Sequence, residues 1–450
     1  IDVKTYQTSS MLRLGAIVVS VLVFPVMLFC MGVVQDKENQ LIVQIQSRVP
    51  ASCQTPNSAC QIAMGVPYIF TQERFIALVI YGLLLVADSL LSFKTMLVTC
   101  FGIYMLLVLQ MVFKSGRPYW NVEEITPNGV CTFSFSGPAQ SSFMMSFFYP
   151  YVLIMYLFKY YKSPNRVINW LLVALTFIVT VDIYIFSIWN GQDYIYQLVI
   201  GSVLGLCYLV AVLSFDSEIH RYSEKTGFLL RSSRSRKFYL FFFVLFLLIF
   251  VLICFYSLSA TWHMPQDWIK NANFRDTCKE EFQDTANNSL GMIWTFEKCW
   301  VLFVIIGASF GQPYTLLYLS PLRWVHTALW KRLLRMVIGV GIAYGVTYVC
   351  HYLTEDSNDV FTKFIFGNGL PGLFNSFFIF GLFPVFCEHM GLVQGENEFN
   401  KMFPDFAQSV NAIKIKSLNQ STPGAKPSPS PSPSPSLQNS HKAASTAGGS

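Results

Sequence analysis

Lys114 and Arg117 stand three residues apart in the string Lys114-Ser115-Gly116-Arg117-Pro118-Tyr119-Trp120. A guanidinium makes paired, charge-assisted hydrogen bonds to phosphate or carboxylate oxygens, and an ammonium adds a point charge. Two such cations at the edge of an apolar segment either hold a phosphate or lipid headgroup or snorkel to the headgroup level. Two further stretches place polar groups between apolar runs. One is Pro138-Ala139-Gln140-Ser141. The other runs from Ser187 through Asp193 to Gln197 and is followed by Gly201 and Gly205. Asp193 has the chemistry of an acyl-phosphate nucleophile, although no general acid accompanies it. Residues 1–219 contain no histidine; the six are His220, His263, His326, His351, His389 and His441. No histidine, cysteine or carboxylate pattern has metal-ligand spacing, so neither metal nor cofactor is expected.

These residues are positioned by an apolar chain. Of 450 residues, 53% are hydrophobic and 12% charged, against roughly 25% charged in soluble domains. Mean hydropathy is +0.45. Such a chain cannot cover a water-exposed fold, which excludes a soluble enzyme and a disordered protein. The net charge of +6 comes from short loops between apolar runs, so no nucleic-acid partner is expected. A spanning helix needs about 20 apolar residues. About ten segments meet that measure: 11–34, 75–93, 95–113, 141–160, 167–188, 195–215, 238–258, 300–319, 334–353 and 370–389. Only Ser92–Lys94 separates the second from the third, which predicts a tight helical hairpin. The fold class is therefore all-α, a polytopic membrane bundle.

Orientation follows the excess of Lys and Arg on the cytosolic side. With the N-terminus inside, inner segments carry Lys94, Lys162, Arg166, the run Arg231 to Lys237, Arg323, Lys331, Arg332 and Arg335, while outer loops are acidic or mixed. Both termini are then cytosolic. The sequon Asn287-Asn288-Ser289 falls in the outer loop 259–299 and is a glycosylation site there. Cys53 with Cys60, and Cys278 with Cys299, are expected disulfides in an oxidising compartment, against the alternative of free thiols. Both features point to the secretory pathway, in the endoplasmic reticulum, another endomembrane or the plasma membrane. The remaining cysteines, apart from Cys131, sit in apolar spans as packing residues.

The chain divides into a six-span core at 1–215, a basic cytosolic linker at 216–237, four more spans within 238–389, and a disordered Pro/Ser-rich tail at 390–450. Gly307 and Gly311, with Gly339, Gly341, Ala343 and Gly345, allow close helix approach within the chain or between copies. Asp182 lies inside the fifth span and is expected to find a buried partner, either Arg117 or Lys114.

Six spans, an Arg-Pro loop after the third, a turn into the fourth and a polar loop before a Gly-containing sixth resemble the type-2 phosphatidic acid phosphatase superfamily. The Arg-Pro-Tyr-Trp string looks like its glucose-6-phosphatase branch. The resemblance covers about residues 75–215 and implies a phosphohistidine mechanism at the outer membrane face. On that pattern Arg117 matches the phosphate-binding arginine and Gln110 takes the lysine position. Ser141 takes the place of the acid histidine and Ser187 that of a second arginine. Asp193 stands for the nucleophilic histidine and Gln197 for the aspartate that orients it. On a helix Lys114 would share the face of Gln110 and could supply the missing cation.

With no histidine in the six-span core, that mechanism has no residues to run on. The sequence therefore favours a non-catalytic, pseudoenzyme-like membrane protein that binds lipid, scaffolds or joins a complex, with membrane lipids, other membrane proteins or a second copy as partners. Two alternatives stay open: a lipid- or sugar-phosphate phosphatase with relocated residues, and a carrier for a phosphorylated or lipidic solute.

Overall fold

The computed structural model describes residues 33–48, 65–86, 89–126, 135–155, 166–219, 300–318, 327–354 and 362–393, with Leu22, Pro25 to Met27, Phe29 and Cys30. Among these residues the structure is helical and contains no strand. The elements are α1 (Gln35–Arg48), α2 (Glu73–Val86), α3 (Ser89–Phe113), the short α4 (Pro118–Asn121), α5 (Gln140–Leu153), α6 (Arg166–Trp189), α7 (Ile195–Ser214), α8 (Trp300–Tyr318) and α9 (Leu329–Thr354). A last helical run then spans Lys363 to His389. Among the described residues, five stretches are long and apolar enough to cross a membrane: Leu91–Asn121, Val167–Trp189, Ile195–Ser214, Leu329–Thr354 and Ile365–His389. This is a helical membrane protein. The expected segment 238–258 and most of 11–34 lie outside the described residues. So do Cys53, Cys60, Cys278, Cys299, Asn287 and the tail beyond Val393. Cys30, Cys100, Cys207, Cys350 and Cys387 carry free thiols.

The hairpin turn is not where polarity placed it. Ser92 and Lys94 sit inside α3, fully buried. The Lys94 ammonium pairs with the Asp216 carboxylate just beyond α7, and the Ser92 hydroxyl donates to Ile80 O in α2 at 2.8 Å. Each polar group meets a partner on a neighbouring helix, so α3 continues through them instead of breaking. α2 ends at Val86 and α3 begins at Ser89, ahead of both residues.

Glycines set the tightest contacts. A Cβ on Gly201 of α7 would stand 2.2 Å from Ser142 Oγ and 2.5 Å from Ala139 O at the start of α5. One on Gly205 would meet Phe143 O at 2.7 Å. Hydrogen at these positions lets the two backbones touch. Gly307 and Gly311 of α8 do the same against Leu373 and Phe377, so that pair serves packing within the chain. A Cβ on Gly341 or Gly345 would meet no atom of another element within 4 Å among the described residues.

The last run begins seven residues earlier than expected and contains two π-helical segments. π-helical turns cover Lys363–Gly369 and Phe378–Leu382, each just before a proline of the following turn, Pro371 or Pro384. Leu370 N–H bonds to Ile365 O and Phe383 N–H to Phe378 O. A proline cannot donate, and these wider turns re-register the ladder around it without breaking the helix.

Lys94→Met strands the Asp216 carboxylate in the bundle and is expected to cost about 3–5 kcal/mol. The double variant Lys94→Met/Asp216→Leu should recover most of that. Thermal midpoints of the detergent-solubilised full chain read both; equal midpoints for single and double variants would remove the pair from the fold's energetics.

Candidate functional site

The site begins where α3 ends. Lys114 adopts a left-handed backbone at φ 49°, and its N–H closes on Gln110 O at 2.8 Å. The chain then runs extended to Arg117, at φ −84° and ψ 154°, before Pro118 opens α4. A residue preceding proline is driven out of the helical region, and proline suits the first helical position. The Arg-Pro pair therefore turns the arginine off the helix and inward, where it is 5% exposed.

Facing it is the turn between α6 and α7. Gly191 takes φ 62°, and a Cβ there would meet Ile125 Cγ2 at 2.5 Å, so only glycine fits. Beyond it, Arg117 Nη1 donates to Gln192 O at 2.8 Å and to Gln192 Oε1 at 3.2 Å, and lies 3.6 Å from Asp193 Oδ1. The Asp193 carboxylate is 3% exposed. Its Oδ1 accepts from Ser136 Oγ at 2.8 Å, and its Oδ2 accepts from Ser141 Oγ in the first turn of α5 at 3.2 Å. Ser136 also bonds Gln192 O and Gln197 Oε1. The Gln197 amide donates to Ser115 Oγ at 2.7 Å, while its oxygen accepts from Tyr194 N–H at 2.8 Å and so closes the first turn of α7. One buried polar network thus joins the loop after α3, the start of α5, the turn after α6 and the start of α7.

A polar helix covers this end. In α1, Glu38 accepts from Tyr196 N–H at 3.1 Å, placing a carboxylate on the N-terminus of α7. Asn39 accepts from the Tyr194 hydroxyl at 2.8 Å, and Gln46 donates to Trp189 O at 2.7 Å. The sequence offered this stretch only as an acidic outer loop.

The structure brings Arg117, Ser141, Asp193 and Gln197 together. Ser187, fully buried, anchors the turn through its carbonyl, which accepts from Gln192 N–H at 2.9 Å. Gln110 donates to Pro138 O at 2.7 Å and braces the start of α5, away from the carboxylate. Two expectations change. Lys114 leaves the helix at its left-handed residue, so it does not share the face of Gln110. The counter-ion of Arg117 is Asp193 in the facing turn, while Asp182 stands half-buried two turns back in α6. Ser115, Ser136 and Gln192 were missed. They carry no sequence signal beyond lying beside residues that do.

Burial pushes the Asp193 carboxyl above the ordinary carboxylate range, opposed by the Arg117 charge and by the Ser136 and Ser141 hydroxyls. Burial likewise raises Glu38, opposed by the Tyr196 and Ile195 backbone N–H groups, and lifts the Tyr194 phenol to about 12, which keeps it a neutral donor. Chemically, the arrangement is an anion held by a cation and two hydroxyls, with the anion supplied by the chain itself. Among the described residues, no three histidine, cysteine or acidic side chains gather as metal ligands would.

A carboxyl raised on folding binds more protons in the native state than in the unfolded one. It favours the fold below the ordinary aspartate range, about 3.9, and that contribution is lost as pH rises through the raised value. Replacing Asp193 by Asn should flatten this part of the fall of thermal midpoint with rising pH. An unchanged slope would mean that Asp193 does not titrate with folding.

Compared with known proteins, the chain matches no family model, no curated protein and no solved structure.

Proposed function

We propose that the chain is a non-catalytic multi-pass membrane protein, built on a core like that of the type-2 phosphatidic acid phosphatases, which works as a lipid-binding, scaffolding or complex-forming component. The observation that carries this reading is the state of Asp193. This residue stands where the resemblance puts the nucleophile, yet both its oxygens are occupied by Ser136, Ser141 and Arg117. A carboxylate nucleophile needs a lone pair directed at phosphorus and an acid to protonate the leaving oxygen. Each Asp193 oxygen already accepts a serine hydroxyl, the Arg117 guanidinium stands 3.6 Å from Oδ1, and residues 1–219 contain no histidine to act as that acid. The cation that would hold phosphate is likewise committed to Gln192 and Asp193.

In this reading the membrane region has ten spans, six in the core and four after a cytosolic linker, with both termini cytosolic in a membrane of the secretory pathway. The Arg117 network then lies toward the outer face, and the four later spans and the loop bearing Asn287 offer surface to partners.

Phosphate release by the purified full chain, over lipid phosphates and sugar phosphates, tests the proposal. Wild type and Arg117→Ala are both expected to stay at the protein-free background. Turnover by wild type that Arg117→Ala abolishes would replace this reading with an active phosphatase.

A further inference from the structure

Asp182 stands half-buried in α6, about 10 Å short of Trp189 along the helix axis. The polar side chains around it are answered. Thr176 Oγ1 donates to Leu172 O at 2.8 Å, Thr180 Oγ1 donates to Thr176 O at 2.7 Å, and the Tyr184 hydroxyl bonds Ser202 Oγ of α7. Asp182 makes no hydrogen bond or ion pair among the described residues. A carboxylate within a spanning helix is costly and is ordinarily turned inward to a partner. The aspartate side chain is too short to snorkel to the headgroup level from this depth.

The residues in line with it form a seam. Ile168, Leu171, Leu175, Ile178, Asp182 and Ile185 follow one another at spacings of three, four, three, four and three. That is the a and d repeat of a helix that packs along another helix. The apolar members of the seam are all exposed. Exposed hydrocarbon by itself suits lipid. The carboxylate in its midst does not, and a polar residue at an a position sets register and partner where two helices pack.

We propose that this seam of α6 docks a membrane-spanning helix of another protein, one that carries a lysine or arginine level with Asp182. Charge complementarity selects the occupant. Two copies of this chain related by a twofold axis along the membrane normal would pair α6 in parallel and set Asp182 against Asp182, like charges in an apolar layer. Within the chain, Lys94 is committed to Asp216, and Arg335 is fully buried beside Thr327. The expected span at 238–258 contains no lysine, arginine or histidine. The inference rests on the complex-forming part of the reading above and gives it a surface and a partner.

The test measures association between the full chain, reconstituted in phosphatidylcholine vesicles, and synthetic spanning helices of leucine and alanine. One peptide carries a single lysine about 10 Å from one end, and the other has leucine in its place. Energy transfer between labels on chain and peptide should show the lysine peptide binding about tenfold more tightly. Asp182→Asn and Asp182→Leu should bring it down to the level of the leucine peptide. Both variants should keep the thermal midpoint of the full chain or raise it, since no internal bond is lost. Equal binding of the two peptides by wild type would overturn the proposal. So would a lysine preference that Asp182→Asn keeps, a midpoint that falls in both variants, or transfer between two labelled copies of the chain that Asp182→Leu abolishes. Phosphate release is a separate readout, so an active core would leave a positive result standing.

Discussion

A guanidinium cannot shed its charge inside a protein, so a buried arginine obliges the surrounding chain to answer it in place. Arg117 imposes that constraint at one end of the bundle. Its partners come from a turn 75 residues further on, and the carboxylate they share is held by hydroxyls from the segment before α5 and from the first turn of α5. These bonds tie the loop after α3, the segment entering α5 and the turn between α6 and α7 to one another. The Gly201 and Gly205 contacts follow from the same arrangement. α7 must lie against α5 closely enough for Gln197 O to accept from Ala139 N–H at 3.2 Å, and only glycine leaves room.

The other end repeats the logic with different residues. Lys94 answers Asp216, and Arg335 is turned to Thr327. A helical bundle in an apolar medium gains little from burying more hydrocarbon, since lipid is as apolar as leucine. Directional polar bonds and close backbone contacts therefore carry the specificity, at the two ends and also mid-helix, where Asn375 donates to Ala343 O at 3.0 Å and Thr347 Oγ1 at 2.9 Å. Between them the packing is largely aromatic and aliphatic, as where Phe380 meets Phe93 and Tyr81 edge-on.

The Arg117 network also bears on chemistry. Phosphoryl transfer needs a nucleophile with a free lone pair, an acid, and cations free to follow the charge as it moves. Here the carboxylate and the cation are each other's partners, and the surrounding hydroxyls point at the carboxylate.

The sequence by itself determined the class of protein and several of its parts. The expected spans at 167–188, 195–215 and 300–319 fall within one residue of α6, α7 and α8, because long apolar runs bounded by polar turns leave a helix no other choice. Arg117, Ser141, Asp193 and Gln197 were grouped beforehand by the resemblance to the phosphatase motifs. Tertiary structure decided which partner each charge found. Lys94 and Ser92 looked like a turn and proved to be interior, because a polar residue marks a boundary only when nothing across the interface answers it. Asp182 looked like the counter-ion of Arg117, but the left-handed Gly191 turn delivers Asp193 instead. Ser136 and the covering helix α1 were invisible beforehand, since a lone serine and a short polar helix acquire meaning only from what they face. Local pattern fixes where a helix runs; long-range contact geometry fixes which charges meet.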